Sequence, residues 1–468
     1  MKSGTLQIQL AEHNPWWRPG DWARDDVDLV AAAEAGFTYR SGALAHLTQG
    51  GLYVLRGPRR VGKSTEIKMA IRDLLDSGVP ARSVIHAAVD GWRAEDLRTL
   101  VPSATRSFLG DAPRPRWWFI DEITNVRGDW PNVVKNMRDN DPGFARDTVV
   151  LTGSSAAGLH AARKALAGRR GQATDADREI LPMRFTDVVA ASGLDVNVVP
   201  PLRPKQLVTP EARDRVFDLA PYLSELVTLW ETYLRVGGFP QAVTGWLRTG
   251  ELERPFVDAL WDVIHGEAIN TERLAATQTS LLLSKLARNL CSPLNVSDLA
   301  RDLDVAQQTA GERLRDLADH FLIWPCFREQ GGRPRPSAQR KWYFVDPALA
   351  RLASIRSGGY EPDFTQLSQQ QIGLCLLRTA GADDAVSLAD FDAVLHHRTS
   401  TGAEIDFVGA RFQGVAVESK YVDDRWGREM QTIARSPWSG IIASRSGIEW
   451  RPDGSVIPAP LLALVLGA

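Results

Sequence analysis

Residues 52–65 read Leu52-Tyr53-Val54-Leu55-Arg56-Gly57-Pro58-Arg59-Arg60-Val61-Gly62-Lys63-Ser64-Thr65, and the rest of the chain is organised around them. The first four form an apolar run of the length of a buried strand. From Gly57 the pattern is G-x-x-x-x-G-K-[ST], a loop whose backbone N–H groups cradle phosphate oxygens. Beyond it Ile67, Ala70, Ile71 and Leu74 recur at helical spacing, so the loop feeds a helix with one apolar face. Gly57 and Gly62 permit the tight turn. The helix start adds free donors and the positive end of its dipole. Lys63 is placed to reach the β- and γ-phosphates of a nucleotide, and the Ser64 hydroxyl to ligate magnesium. All nine residues from Gly57 to Thr65 are expected to contact the nucleotide.

Further along, Ser83 to Val89 reads as a second strand. Trp117 to Ile120 reads as a third, ending in Asp121-Glu122. An acid at that tip can hold magnesium through water, and the next can orient or deprotonate an attacking water, so Asp121 and Glu122 take those roles. Thr148 to Leu151 is a fourth strand, leading into Thr152-Gly153-Ser154-Ser155. A polar side chain there would lie between the loop and the acids. Ser154 is the choice for bonding the water or the γ-phosphate, against the alternative of plain turn chemistry. In Leu166-Ala167-Gly168-Arg169-Arg170-Gly171, Arg169 or Arg170 can offset charge at the γ-phosphate, within the chain or from a neighbouring copy. The alternative is a solvated basic loop. Strands and helices alternating at this pitch imply a parallel sheet with helices on both faces, an α/β fold.

With 55 basic and 57 acidic residues, and a net charge of -2, the whole chain offers no electrostatic argument for nucleic acid or membrane. Any such surface is local. The three cysteines, Cys291, Cys326 and Cys375, are far apart and in no metal-ligand spacing, which reads as buried thiols. The N-terminus has no long apolar segment of a secretion signal, and the apolar run near 461–466 is too short to span a bilayer, so a cytoplasmic location is expected. Trp16, Trp17 and Trp22 in the first 50 residues read as caps on the core, with adenine stacking as the alternative.

Residues 1–191 are therefore expected to form the phosphate-loop domain. A Pro-rich break opens 192–280, a linker and helical lid interrupted at Gly237-Gly238-Phe239-Pro240. Residues 281–357 carry three helical periods and two strands joined by a loop with Arg328, Arg333, Arg335, Arg340 and Lys341, a winged helix. Gln307, Gln308, Thr309 and Arg313 would then face outward for a DNA or RNA groove, and the wing would touch phosphates. An internal packing module is the alternative. Residues 358–468 hold Glu404, Asp406 and Glu418-Ser419-Lys420 on neighbouring strands. Asp406 and Glu418 there can hold a divalent metal while Lys420 activates water for phosphodiester cleavage. A hairpin with solvated charges is the alternative. His396 and His397, adjacent on a strand, point to opposite faces and form no paired site.

The ordered stretches GPRRVGKS, WWFIDEI, VVLTGSSA, LAGRRG, LPMRFTDV, YLRVGGFPQAV, KWYFVDPALA, HHRTSTGAEIDFV and VAVESKY run from residue 51 to past 420. On them the chain resembles the bacterial and archaeal AAA-type ATPases that carry a C-terminal nuclease-like domain of uncharacterised role. The resemblance implies an AAA-like ATPase core using ATP and Mg2+, a helical region with a winged helix, and a PD-(D/E)xK-like C-terminal fold. One departure stands out: such domains usually offer a glutamate on the helix before the sheet, where this chain has Gln369-Gln370-Gln371. Amides are poorer magnesium ligands than carboxylates, which counts against cleavage. The leading expectation is an ATPase switch acting on the winged-helix and nuclease-like parts. An ATP-gated nuclease, or a nucleic-acid- or protein-binding scaffold, are the alternatives; a small-molecule kinase suits the later helical modules less well.

Overall fold

The computed structural model describes residues 3–154, 162, 164–196, 200–268, 276–380, 392–399, 402–451 and 454–467. Ser155, Ala156 and the Ser400-Thr401 pair of the quoted stretches lie outside them. The chain forms two compact units, residues 1–181 and residues 182–384 with 388–468.

The first unit is built on a five-stranded parallel sheet: β1 (Leu52–Arg56), β2 (Val84–Ala88), β3 (Trp117–Asp121), β4 (Thr148–Gly153) and β5 (Asp177–Glu179), in the order β2-β3-β4-β1-β5. Leu52 to Leu55 are wholly buried, as a strand covered on both faces requires. Three helices matter here: α1 (Ser3–His13), α2 (Lys63–Asp76) and α3 (Trp130–Asn140). The strand order has one direct consequence. Because β4 lies between β1 and β3, its last residues fall between the loop that follows β1 and the acids that end β3.

Strand β2 is an edge, and an open edge leaves its backbone groups unpaired. Here side chains from the start of the chain cover it. Asn14, fully buried, donates to His86 O at 2.8 Å and accepts from His86 N at 2.7 Å. The indole N–H groups of Trp16 and Trp17 both donate to Val84 O at 3.0 Å. The tryptophans of the N-terminal segment thus cap the sheet edge.

The second unit starts at Pro182, so the helix Phe185–Ala191 belongs to it; Met183 N donates to Gly238 O at 2.6 Å. It contains α4 (Leu223–Val236), α5 (Pro240–Thr249), α6 (Ala276–Arg288), α7 (Val296–Asp302), α8 (Gln307–Asp319), α9 (Pro347–Ser357) and α10 (Phe364–Thr379). The Gly-Gly break between α4 and α5 is a packing joint. A Cβ on Gly237 (φ 83°) would stand 2.1 Å from Asp346 Oδ1, and one on Gly238 2.2 Å from Met183 O. Asp346 accepts from Gly238 N at 2.7 Å and caps α9 through Ala348 N at 2.8 Å.

The strands β6 (Ile323–Gln330), β7 (Arg333–Pro334) and β8 (Lys341–Phe344) form the hairpin after α8. They are followed by β9 (Leu395–Arg398), β10 (Glu404–Val408), β11 (Val415–Ser419), β12 (Ser439–Ser444), β13 (Glu449–Arg451) and β14 (Gly454–Pro458). Among the described residues these make one sheet, because β6 pairs in parallel with β9 (Phe327 with Leu395, Arg328 with His396). Helix α6 runs across the expected boundary at 280/281, and this ladder joins strands on either side of the one at 357/358. None of the described helices is long and apolar enough to cross a membrane.

Candidate nucleotide site

The loop after β1 is set by its glycines. Gly57 has φ +151°, and an added Cβ would lie 2.0 Å from Ile180 O, at the end of β5. Only glycine fits there. Gly62 (φ 91°) caps α2 in the left-handed region, with Arg60 (φ 70°) also turned left. Alternating hand of this kind aims successive N–H groups into one concavity. Pro58 and Val61 are buried, Arg59 and Thr65 half-buried and Arg60 exposed. Lys63, nearly buried, sends its Nζ back across the loop to Gly57 O and Pro58 O, both at 2.9 Å.

The acids meet the loop from β3. Ser64 Oγ donates to Asp121 Oδ2 at 3.1 Å. The other oxygen, Oδ1, accepts from Glu122 N at 3.0 Å and from the Thr152 hydroxyl. A serine hydroxyl and an aspartate carboxylate, both oxygen donors beside a phosphate-binding loop, fit magnesium, which takes one or two protein oxygens and completes its shell with phosphates and water. Glu122 has left-handed backbone (φ 55°, ψ 38°), uncommon for a residue with a side chain, and such geometry clusters at functional positions. Its Oε2 accepts from Asn125 Nδ2 and Ser154 Oγ, each at 3.5 Å. Burial raises the Glu122 carboxyl above its ordinary range; Lys63 works the other way and Asp121 adds to the rise. That is the environment of a proton acceptor.

Lys63, Ser64, Asp121, Glu122 and Ser154 are thus brought together. Thr152 was missed. It ends the β4 alternation, and its hydroxyl fixes the Asp121 carboxylate and receives Glu122 N at 3.2 Å.

Arg169 and Arg170 are not brought to the loop. Arg170 O accepts from Leu52 N at 3.0 Å, at the end of β1 opposite the phosphate loop. Arg170 pairs with Asp177 at 2.8 Å, and Arg169 with Asp139 of α3 at 2.7 Å. The topology requires this placement: β4 and β5 are parallel to β1, so the chain between them must return to the starting edge of the sheet.

In the second unit the expected metal cluster is closed on itself. Lys341, expected in the basic wing, is fully buried instead. Its Nζ lies 2.6 Å from Glu404 Oε1 and 3.0 Å from Asp406 Oδ1. Burial works against the ammonium, but Tyr343, Asp406 and Glu404 more than offset it and hold its pKa well above the ordinary lysine value. Gln369 Nε2 donates to the same Asp406 Oδ1 at 2.7 Å. Asp406 Oδ2 accepts from Ser419 N, and Glu418 Oε2 from Asp406 N. Burial, then Asp406, pushes the Glu418 carboxyl well up. Lys420 turns to Glu429 at 3.0 Å. A protein cation thus sits between the Glu404 and Asp406 carboxylates, beside the expected Asp406-Glu418 pair, and no group of three or more potential metal ligands occurs among the described residues.

Helices α6, α7 and α8 and strands β6 and β8 form near the residues read as three helices and two strands, but two basic side chains expected outward pack inward or against aromatic rings. Arg313 is buried, with Asp316 at 3.4 Å, since it shares the α8 face of Ala310, Leu314 and Leu317. Arg340 stacks over Phe327 (4.6 Å) and Trp342 (5.7 Å). Gln307, Gln308, Arg333 and Arg335 are exposed.

The sheet, the loop and the converging acids define a P-loop NTPase core. More narrowly, residues 49–189 match the family model of an AAA domain, AAA_14, so the first unit carries an AAA-type P-loop domain. Residues 227–358 match a domain of unknown function, DUF8612, a span that runs from within α4 to the end of α9 and stops short of the C-terminal strands. No curated protein matches. Among solved structures, the Walker-type ATPase of Pyrococcus abyssi is similar at 15% identity over 64% of this chain and 90% of that one (TM-score 0.39). The ORC1 protein of Aeropyrum pernix in complex with DNA is similar at 12% identity over 73% and 96% (TM-score 0.32). The ORC2 protein of the same organism, with ADPNP and ADP, is similar at 12% over 71% and 91% (TM-score 0.33).

Proposed function

We propose that the chain is a magnesium-dependent ATPase whose nucleotide state is communicated to its second unit. The observation that carries this reading is the meeting of Ser64 Oγ with Asp121 Oδ2 at 3.1 Å, with Glu122 and Lys63 alongside. In this reading the loop N–H groups and Lys63 hold the phosphates, and Ser64 and Asp121 hold the ion. Bound there, magnesium would neutralise charge on the phosphate oxygens. Glu122 orients the attacking water and accepts its proton, with Ser154 and Asn125 fixing the carboxylate. Thr152 holds Asp121 in place. If an arginine acts on the γ-phosphate from the Arg169-Arg170 pair, it does so from another copy of the chain. The test is ATP turnover with magnesium, with and without DNA; a well-folded protein that hydrolyses no ATP under any of these conditions would sink the reading.

Lys63→Ala is expected to weaken ATP binding roughly 10- to 150-fold, the range for losing hydrogen bonds to a charged group. Titration with a fluorescent ATP analogue reads it directly. Wild-type affinity in that variant would remove Lys63 from the phosphates.

For the second unit we propose a duplex-binding face made by the start of α8 and the hairpin. Arg333 and Arg335 would touch phosphates and Gln307 and Gln308 the groove. Replacing both arginines by alanine is expected to lower DNA affinity and to reduce the slope of log affinity against log salt by about two. An unchanged slope would assign this module to internal packing. The closed cluster at Asp406 favours a scaffold role for the C-terminal sheet over cleavage.

A further inference from the structure

One buried side chain in the first unit has no part in the site so far, yet it faces the site. His86, on β2, is 6% exposed, and Nε2 lies 4.0 Å from Asp121 Oδ2. Among the described residues neither ring nitrogen has a partner in good hydrogen-bond geometry, and the His13 backbone comes near enough to act on the ring. Leaving a buried imidazole unsatisfied is unfavourable, and such groups in native folds call for a reason. The ring is held where it is with some care. Asn14 grips the His86 backbone through both its N–H and its carbonyl. His13 packs against it, ring centroids 5.8 Å apart, while its Nδ1 accepts from Ala88 N at 3.3 Å. The charges around the ring are Lys68, tied to Asp26 at 3.0 Å, and Asp121. A neutral imidazole has one N–H donor and an imidazolium two, so the ring carries a donor in either state.

Asp121 shows where that donor would act. Oδ1 already takes the Thr152 hydroxyl and Glu122 N; among the described residues Oδ2 takes Ser64 Oγ alone and has acceptor capacity left on the side of His86. We propose that His86 is a positioning residue for Asp121, its Nε2–H closing on Oδ2 when the ion site is filled, so that the N-terminal segment which grips His86 helps set the affinity for magnesium. This rests on the reading of the site given above.

The experiment measures the magnesium concentration for half-maximal binding of a non-hydrolysable fluorescent ATP analogue, with thermal melts alongside. The variants are His86→Phe, which keeps shape without a donor; His86→Asn, whose amide is too short to reach; and His86→Gln, whose amide reaches the Nε2 position. The Phe and Asn variants are expected to raise the magnesium midpoint about 3- to 10-fold, the effect of one net hydrogen bond, and Gln to bring it back toward wild type. Binding measured in EDTA should not change. If Phe or Asn melts lower but keeps the wild-type midpoint, His86 is only packing and the proposal is overturned. A folded wild type that binds no nucleotide with magnesium overturns the site itself, and this proposal with it.

Discussion

Glu122→Gln is expected to bind ATP as the wild type does and to turn it over roughly 10²–10⁴-fold more slowly, the range for removing a general base. Glutamine keeps the length and shape of the side chain and an oxygen that can still accept from Asn125 and Ser154, so the site should fold unchanged. What disappears is the carboxylate that accepts a proton from water. The environment singles out this acid and not its neighbour: Asp121 is held by Ser64, Thr152 and Glu122 N, whereas Glu122 receives two long contacts at 3.5 Å and is raised by burial. Single-turnover hydrolysis beside equilibrium binding separates the two effects. Equal hydrolysis by the Gln variant would take Glu122 out of the chemistry. Weaker binding at unchanged single-turnover rate would make it a structural acid, strained backbone and all.

The first unit was largely legible because its signals are local. Strand, glycine loop, lysine, serine and helix are consecutive in the sequence, and an apolar strand with two acids at its tip is nearly so. What was not legible depended on which strand lies beside which. Ser154 and Thr152 are two residues apart, and either suits a turn; only the β4 register puts the Thr152 hydroxyl on Asp121. Arg169 and Arg170 sit in a basic loop that looks suited to a phosphate, but a parallel β5 obliges that loop to pass the far end of β1. Arg313 could have been placed by its spacing, since it falls three after Ala310 and four before Leu317 on one helix face. His86 had no sequence signal: its relation to Asp121 arises from two strands pairing side by side. The same holds for Lys341, which closes a run of wing arginines in sequence and yet ends at the centre of a carboxylate cluster. Its strand pairs with β6, which sends it inward.

That inward lysine carries the largest expected effect on stability. Lys341→Met should cost about 3–5 kcal/mol, the penalty for stranding buried partner charges. The buried ammonium is bonded to Glu404 and Asp406, and Gln369 can supply only one neutral N–H in its absence. The sign of the pH dependence follows. In the folded chain the ammonium's pKa is held well above its ordinary value, so its contribution to stability is full below the unfolded lysine value and is lost as pH rises through the folded one. The deficit of Lys341→Met should therefore be full at neutral pH and shrink as pH rises past about 10.4, where a lysine in the unfolded chain gives up its proton before the buried one does. Urea unfolding across that range reads it. The triple variant Lys341→Met, Glu404→Gln, Asp406→Asn should recover part of the loss at neutral pH, because replacing all the charges removes the stranded ones. A metal centre would behave otherwise: manganese would stabilise the wild type, and Lys341→Met would cost little. If the deficit is instead independent of pH, the lysine stem contributes through packing alone, and the cluster's charge is not what holds the hairpin to the C-terminal sheet.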